Sequence, residues 1–150
     1  MNRRKFIALV GAAWAFAASG QQPDRMRRIS VLMLVSADDT RGQTFLEAFV
    51  EKLQQLGWTK GGNAQIDIQW TVADMGRVRS ILAELVAFMP DVILSSGAVA
   101  TGPLLEMTRS ILIVFVLVPD PVGSGLVNSL ARPGGNATRA ISAKWLELLK

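Results

Sequence analysis

The feature that most constrains the fold of this chain is an alternation of short apolar segments with longer amphipathic ones. Mostly apolar runs lie at residues 29–36, 91–95 and 111–118. Such runs are typical of strands that are buried on both faces of a parallel sheet. Residues 64–70 alternate apolar and polar side chains, which indicates a strand nearer the sheet edge. A weaker strand is predicted at 137–141.

Between these strands the apolar residues recur at helical spacing. Residues 40–43 match a capping box and predict the start of a first helix, and Gly57 suits its end. A third helix is predicted at about 98–108 and a short fourth helix at 124–131. Asp74 is expected to cap the second helix, whose predicted buried stripe comprises Val78, Ile81, Leu82, Leu85, Val86 and Met89.

Strands that alternate with helices of this length form right-handed βαβ units and a parallel sheet. We therefore predict an α/β fold, a doubly wound parallel sheet with strand order 2-1-3-4-5, over residues 29–141. Trp58 and Trp70 are interpreted as packing residues within it, with stacking on an aromatic ligand as the alternative.

The first 20 residues have the layout of an export signal. A basic start that includes Arg3 and Arg4 precedes an apolar run of about 13 residues at 6–18, and small residues follow at candidate cleavage sites. Because the run is shorter than the roughly 20 residues that span a bilayer, cleavage is expected rather than anchoring. Both general secretory and twin-arginine export remain open. Residues 21–28 are predicted to be a polar tether, and the predicted location is periplasmic.

Composition narrows the function. Three of the 16 basic residues lie in the leader, which leaves 13 basic against 12 acidic groups and no electrostatic footprint for nucleic acid. The chain has no cysteine and no histidine, so the usual zinc ligands and the commonest general base are absent. No phosphate loop, dinucleotide-binding glycine pattern or nucleophile elbow is present. We expect a binding protein without catalytic residues, metal or cofactor, rather than an enzyme.

In a doubly wound sheet, ligands bind beyond the carboxyl ends of the strands. The third predicted strand ends there in Ser95, Ser96, Gly97 and Ala98, where a helix N-terminus favours an anion such as a small carboxylate. The alternative for Ser96 is that it only caps that helix.

Two further loops at this edge supply carboxylates. Asp120 and Pro121 follow the fourth strand, and Asp120 could accept a hydrogen bond from a ligand ammonium or simply stabilise its own turn. Ser36 and Asp38 follow the first strand, where acidic residues also complement a helix dipole. These eight residues are the predicted ligand-binding set.

The chain also resembles a known family, the tryptophan/tyrosine-type ABC transporter substrate-binding proteins. The most specific segments are Asp-Pro-Val-Gly at 120–123 and Leu-Val-Asn-Ser-Leu-Ala-Arg-Pro-Gly-Gly-Asn at 126–136. Further segments that carry the resemblance lie at 27–32, 56–59, 90–94, 113–116 and 144–150.

The resemblance implies one lobe of a type I periplasmic-binding fold, in which two lobes close on a small solute such as an amino acid. It also implies an ABC permease in the inner membrane as the partner that receives the solute. Residues 142–150 are expected to begin the helix that leads through the hinge to a second lobe, and these 150 residues are expected to supply only the first lobe. We expect the single lobe to bind solute weakly or not at all.

The chain departs from the family pattern at one position, and one alternative function stays open. The family pattern continues with a glycine where this chain has Arg139, which is expected to disturb the turn into the hinge. The alternative function is the effector-sensing lobe of a regulator or receptor with the same fold. The export leader argues against that alternative, because a regulator would carry a DNA-binding head instead.

Overall fold

The structure is a computed structural model, and it describes residues 25–129 and 135–139. The predicted leader, most of the tether and the predicted hinge helix at 142–150 lie outside the described residues. Five strands and three helices alternate along the described chain: β1 (Arg27–Met33), α1 (Thr40–Gln55), β2 (Ala64–Trp70), α2 (Met75–Ala87), β3 (Val92–Ser96), α3 (Ala98–Met107), β4 (Leu112–Val116) and β5 (Ala137–Arg139).

The strands form one parallel sheet in the order β2-β1-β3-β4-β5, which confirms the predicted α/β topology. β1 lies between β2 and β3, with Ser30 opposite Asp67 on one side and Ile93 on the other. β3 pairs with β4 from Val92 to Ser96. All carboxyl ends of the strands therefore lie along one edge of the sheet, which we call the carboxyl edge.

Helices cover both faces of the sheet, and the side chains of β1 alternate between the two faces. Ile29, Val31 and Met33 pack on the face that α1 covers, together with the buried Leu53 of that helix. On the other face the buried side chains of β1, β3 and β4 meet those of α2 and α3; these are Leu32, Ile93, Ile113, Val78, Leu82, Leu85, Ala100 and Leu104. Burial on both faces explains why the central strands are mostly apolar.

The N-cap residue of the first helix lies one position earlier than predicted. Asp39 is the N-cap residue, and its carboxylate accepts from the backbone amides of Arg41 and Gly42, each at 2.9 Å. The capping box at 40–43 is therefore wrong, since Thr40 is already helical. The predicted cap of α2 is confirmed: Asp74 accepts from the amides of Gly76 and Arg77.

Close packing of α1 on the sheet depends on a glycine. A Cβ atom at Gly42 would lie 2.7 Å from a methyl carbon of Val35 and 3.0 Å from the ring of Trp70. Trp58 and Trp70 pack against the core on this face, as predicted.

Two helix predictions were wrong. Met89 is 69% exposed, because α2 ends at Ala87 and Met89 adopts a positive φ of 51° beyond it. Residues 124–129, the described part of the predicted fourth helix, form the end of a turn and an irregular loop instead. Gly125 has a φ of 72° there, and the carbonyl of Pro121 accepts from the amides of both Leu126 and Val127. In a helix these two amides would instead donate to carbonyls four residues earlier. In the described part of the chain, no helix is long and apolar enough to cross a bilayer.

Candidate functional site

Hydrogen bonds tie the loops at the carboxyl edge to one another. The backbone amide of Leu34, just after β1, donates to the Ser96 hydroxyl at the end of β3 over 2.9 Å. The amide of Gly97 donates to the carbonyl of Val116 at the end of β4, also over 2.9 Å. The ends of β1, β3 and β4 are thus held in fixed positions, and the structure brings the predicted loops together on one rigid surface.

The hydroxyls of the two serines in the turn after β3 form hydrogen bonds inside the protein. Ser95 is fully buried, and its hydroxyl lies 3.1 Å from the hydroxyl of Thr101 in α3. Ser96 is 4% exposed and accepts from Leu34, so it does not cap α3. The capping interpretation of Ser96 is therefore wrong, and neither hydroxyl points freely to solvent.

The backbone at the start of α3 is more accessible than those hydroxyls. Gly97 is the N-cap residue with φ 78° and ψ 158°, a conformation that is essentially restricted to glycine. No described side chain accepts a hydrogen bond from the first-turn amides of this helix, and Ala98 and Val99 are exposed. Amides at such a terminus can donate to a bound anion.

The loop after β1 holds a carboxylate in its charged form. Ser36 and Asp38 are exposed, and the Ser36 hydroxyl donates to the Asp38 carboxylate. This hydrogen bond is the largest cause that lowers the pKa of Asp38 below its ordinary value of 3.8. The pKa of Asp39 is also lowered, chiefly by the amide of Gly42 at the start of α1. Asp38 is available to a cation at the carboxyl edge, whereas Asp39 serves the helix.

The loop after β4 folds around Asp120. Its carboxylate accepts from the backbone amide of Gly123 at 2.8 Å, while Pro121 is buried beneath it. A Cβ atom at Gly123 would lie 2.0 Å from the second carboxylate oxygen. Asp120 does stabilise its own turn, as one interpretation held, and its carboxylate nevertheless remains exposed.

Sequence reasoning missed an apolar component of this edge. Leu117 is 71% exposed directly after β4 and has a positive φ of 56°, which is uncommon for a residue other than glycine. Further exposed apolar side chains follow β2 and flank the starts of α2 and α3 and the loop after β4; they are Val72, Met75, Val99 and Val122. Leu117 lies in the apolar run at 111–118, which predicts a buried strand, so nothing in the sequence indicates that its side chain is exposed.

The described residues contain no group of three or more side chains of the kinds that hold a metal ion. The groups that the carboxyl edge does offer are amide donors, separate carboxylates and exposed apolar side chains. These groups suit the recognition of a small charged organic molecule that also has an apolar part.

Comparison with known sequences identifies related proteins. A sequence model of the family described as ABC transporter substrate binding protein matches residues 28–145. A tyrosine-binding protein of Clostridioides difficile (strain R20291) is 33% identical over 108 residues, which are 69% of this chain and 31% of that protein. The chain thus spans about a third of the length of this curated relative.

Three solved structures share the fold. A conserved domain protein from Vibrio cholerae O1 biovar El Tor strain N16961 superposes with a TM-score of 0.69 at 25% identity, over 84% of this chain and 43% of that one. An ABC domain from Streptococcus pneumoniae in complex with L-Trp gives 0.67 at 26% identity, over 75% and 37%. A ligand-free, open substrate-binding protein with adhesive properties from Clostridium difficile gives 0.67 at 29% identity, over 82% and 42%.

Proposed function

Because this chain belongs to the family of ABC transporter substrate-binding proteins, we propose that it supplies one lobe of a protein that captures an aromatic amino acid. The resemblance to the tryptophan/tyrosine-type members is confirmed, since related proteins bind tyrosine or hold L-Trp. The observation that carries the proposal to this chain is the exposed Leu117 beside amide donors and carboxylates at the carboxyl edge.

The carboxylate of the amino acid would bind at the start of α3. The first-turn amides there have no side-chain cap, and the dipole of α3 favours a negative group. Gly97 lacks a side chain, which lets a ligand approach the backbone closely. Ser95 and Ser96 contribute by fixing this turn from below, through Thr101 and Leu34.

The ammonium of the amino acid would be recognised by an exposed carboxylate. Asp120 and Asp38 are the two candidates, and both lie in loops that follow central strands of the sheet. β1 and β4 both pair directly with β3, so both loops adjoin the start of α3. We assign the ammonium to Asp120, because its loop also carries the exposed Leu117 and Val122, and a supporting charge to Asp38.

The aromatic side chain of the ligand would contact the exposed apolar residues of the edge. Leu117 is the most exposed of them; Val122 lies in the same loop after β4, and Val99 lies in the first turn of α3. Leu117 combines an exposed apolar side chain with a positive φ, and because strained backbone of this kind clusters at ligand-contacting sites, its position favours contact with a ligand.

A second lobe would complete the site by closing over this edge, and an ABC permease would receive the solute. A single lobe leaves one side of the ligand in water, and the desolvation that closure provides would be missing. We propose that the protein acts outside the cytoplasm, after export directed by the leader.

Calorimetry tests this function directly. The 150-residue chain is titrated with L-tryptophan, L-tyrosine and L-lysine, and we expect the two aromatic amino acids to bind with a Kd of about 1 mM or weaker. L-lysine should bind at least several-fold more weakly. Leu117→Ser should weaken the binding of L-tryptophan, whereas the matched control Leu56→Ser, an exposed leucine after α1, should not. Equal binding of all three amino acids would refute the assignment of an aromatic ligand.

A further inference from the structure

A second cleft lies away from the carboxyl edge, between the sheet and the carboxyl-terminal half of α2. Its volume is about 250 Å³, and it is partly open to solvent. The strand residues that line it come from β1 and β2, and the helical residues come from α2 and its C-cap; they are Ser30, Asp67, Gln69, Ile81, Glu84, Leu85 and Phe88. None of the residues of the carboxyl-edge site lines it.

Ser30 gives this cleft a feature that packing alone does not explain. Its side chain is 1% exposed, and its hydroxyl has no hydrogen-bond partner. A buried hydroxyl without a partner loses its hydrogen bonds to water and gains none in return, which destabilises the fold. Because Ser30 lines the cleft, a molecule bound there is able to satisfy the hydroxyl.

The charged groups of the cleft carry one sign. Asp67 lies opposite Ser30 on the neighbouring strand, and Glu84 faces it from α2. None of the described residues that line the cleft is basic. The guanidinium of Arg28 stacks on the Phe88 ring, 3.7 Å from its centre, and Arg28 is not one of the lining residues.

The floor of the cleft is apolar. Ile81, Leu85 and Phe88 provide most of its hydrophobic surface. A ligand that satisfies all three elements needs a donor for the Ser30 hydroxyl, a positive charge for the carboxylates and a short hydrocarbon part. The volume admits only a small molecule, since drug-sized sites run to roughly 300–1,000 Å³.

We propose that this cleft is an accessory binding site for small organic ammonium ions. The ammonium group donates to Ser30 and faces Asp67 and Glu84, and the alkyl part packs on Leu85 and Phe88. The site is independent of the amino-acid site, because α2 runs antiparallel to the strands and the cleft lies beside its carboxyl-terminal half.

The test is an amide chemical-shift titration of the chain with n-butylammonium chloride at constant ionic strength. We expect saturable shifts at residues of the cleft with a Kd of about 1 mM. 1-Butanol, which has the same alkyl part without the charge, should bind at least tenfold more weakly. L-Tryptophan should shift a different set of amides, so the failure of either site is visible on its own.

Substitutions identify the groups responsible. Ser30→Ala and Glu84→Gln should each raise the Kd several-fold or more, whereas the matched controls Ser80→Ala on the exposed face of α2 and Glu47→Gln on α1 should leave it unchanged. Ser30→Ala should not lower the melting temperature, because it removes an unpaired hydroxyl. Glu84 is exposed, so Glu84→Gln keeps the test valid whatever Ser30→Ala does to folding.

Four results would overturn the proposal. Three are no saturable shifts at the cleft, equal binding of 1-butanol, and a Kd that neither Ser30→Ala nor Glu84→Gln changes. The fourth is that sodium or potassium chloride reproduces the shifts, because the site would then take inorganic cations.

Discussion

The turn after β3 and the loop after β4 lie side by side at the carboxyl edge, yet they are built in opposite ways. In the turn after β3, the hydroxyls of Ser95 and Ser96 are buried and bonded to Thr101 and Leu34. In the loop after β4, Leu117 and Asp120 are exposed. The first region uses its side chains to hold its backbone, whereas the second presents its side chains to solvent.

This difference separates two roles that look alike in the sequence. Substitutions in the turn after β3 should first reduce stability, since its side chains support the fold. Substitutions in the loop after β4 should leave stability nearly unchanged and reduce ligand binding. A substitution that did the reverse would contradict this division.

The largest effect is expected from Gly97→Ala. The φ of 78° and ψ of 158° at Gly97 suit glycine almost exclusively, so an alanine should lower the free energy of unfolding by about 3 kcal/mol. Urea denaturation measures this. Gly76→Ala in α2 is the matched control, since Gly76 lies in a helix with space for a Cβ atom, and it should be neutral or stabilising.

Ser96→Ala should produce the next largest loss. The amide of Leu34 would lose its acceptor, which should cost about 1–2 kcal/mol in urea denaturation. Ser80→Ala, a change at an exposed serine of α2, should cost less than about 0.5 kcal/mol. Equal stability of the two variants would show that the Ser96 hydroxyl does not hold the ends of β1 and β3 together.

Leu117→Gly should separate stability from binding. Glycine tolerates the positive φ of 56°, so the variant should be as stable as the parent or up to about 1 kcal/mol more stable. Its calorimetric response to L-tryptophan should nevertheless fall. A marked loss of stability would mean that Leu117 serves the core and that its exposure is incidental.

Gly123→Ala should have a smaller effect on stability, about 0.5 kcal/mol. Its Cβ atom would displace the carboxylate of Asp120, which lies over Gly123 without being buried. The binding of amino acids should weaken about as much as in Asp120→Asn, as measured by calorimetry. If Asp120→Asn alone weakened binding, the position of the carboxylate over Gly123 would not matter.

The smallest effect is expected when the pH is lowered. The lowered pKa of Asp38 contributes stability above its ordinary value of 3.8, and this contribution is lost as the pH falls below that value. The Ser36 hydroxyl is the main cause of the shift, so Ser36→Ala should slightly reduce the loss of melting temperature between about pH 6 and about pH 3. Thermal unfolding at the two pH values checks this, and an unchanged loss would contradict it.

The sheet was predictable because the apolar composition of its strands indicates that they are buried. β1, β3 and β4 are apolar on both faces, and the alternation in β2 placed that strand at an edge, where Ile66 and Gln65 face opposite sides. A first strand in the middle of a doubly wound sheet then suggests the order 2-1-3-4-5. Local errors arose where several hydrogen-bond acceptors compete, as at Asp39 and Thr40, because adjacent residues can both cap a helix.

For the candidate site, the sequence predicts only a position. Topology directs ligands to the carboxyl edge, and the loops that contain Ser36, Ser96 and Asp120 follow the central strands there. The partners of Ser96 and the exposure of Leu117 depend on contacts between segments distant in the sequence, such as that between Leu34 and Ser96. Ser30 likewise reads as an ordinary strand residue until its lack of a partner is seen in three dimensions.

The most direct test of the central claim, that the carboxyl edge of the sheet is the ligand-binding face, is an amide chemical-shift map of the chain with L-tryptophan. The account predicts saturable shifts at Gly97, Ala98, Val99, Leu117 and Asp120, with little change in the amides of the α2 cleft. Shifts confined to other surfaces, or none at concentrations well above about 1 mM, would contradict it.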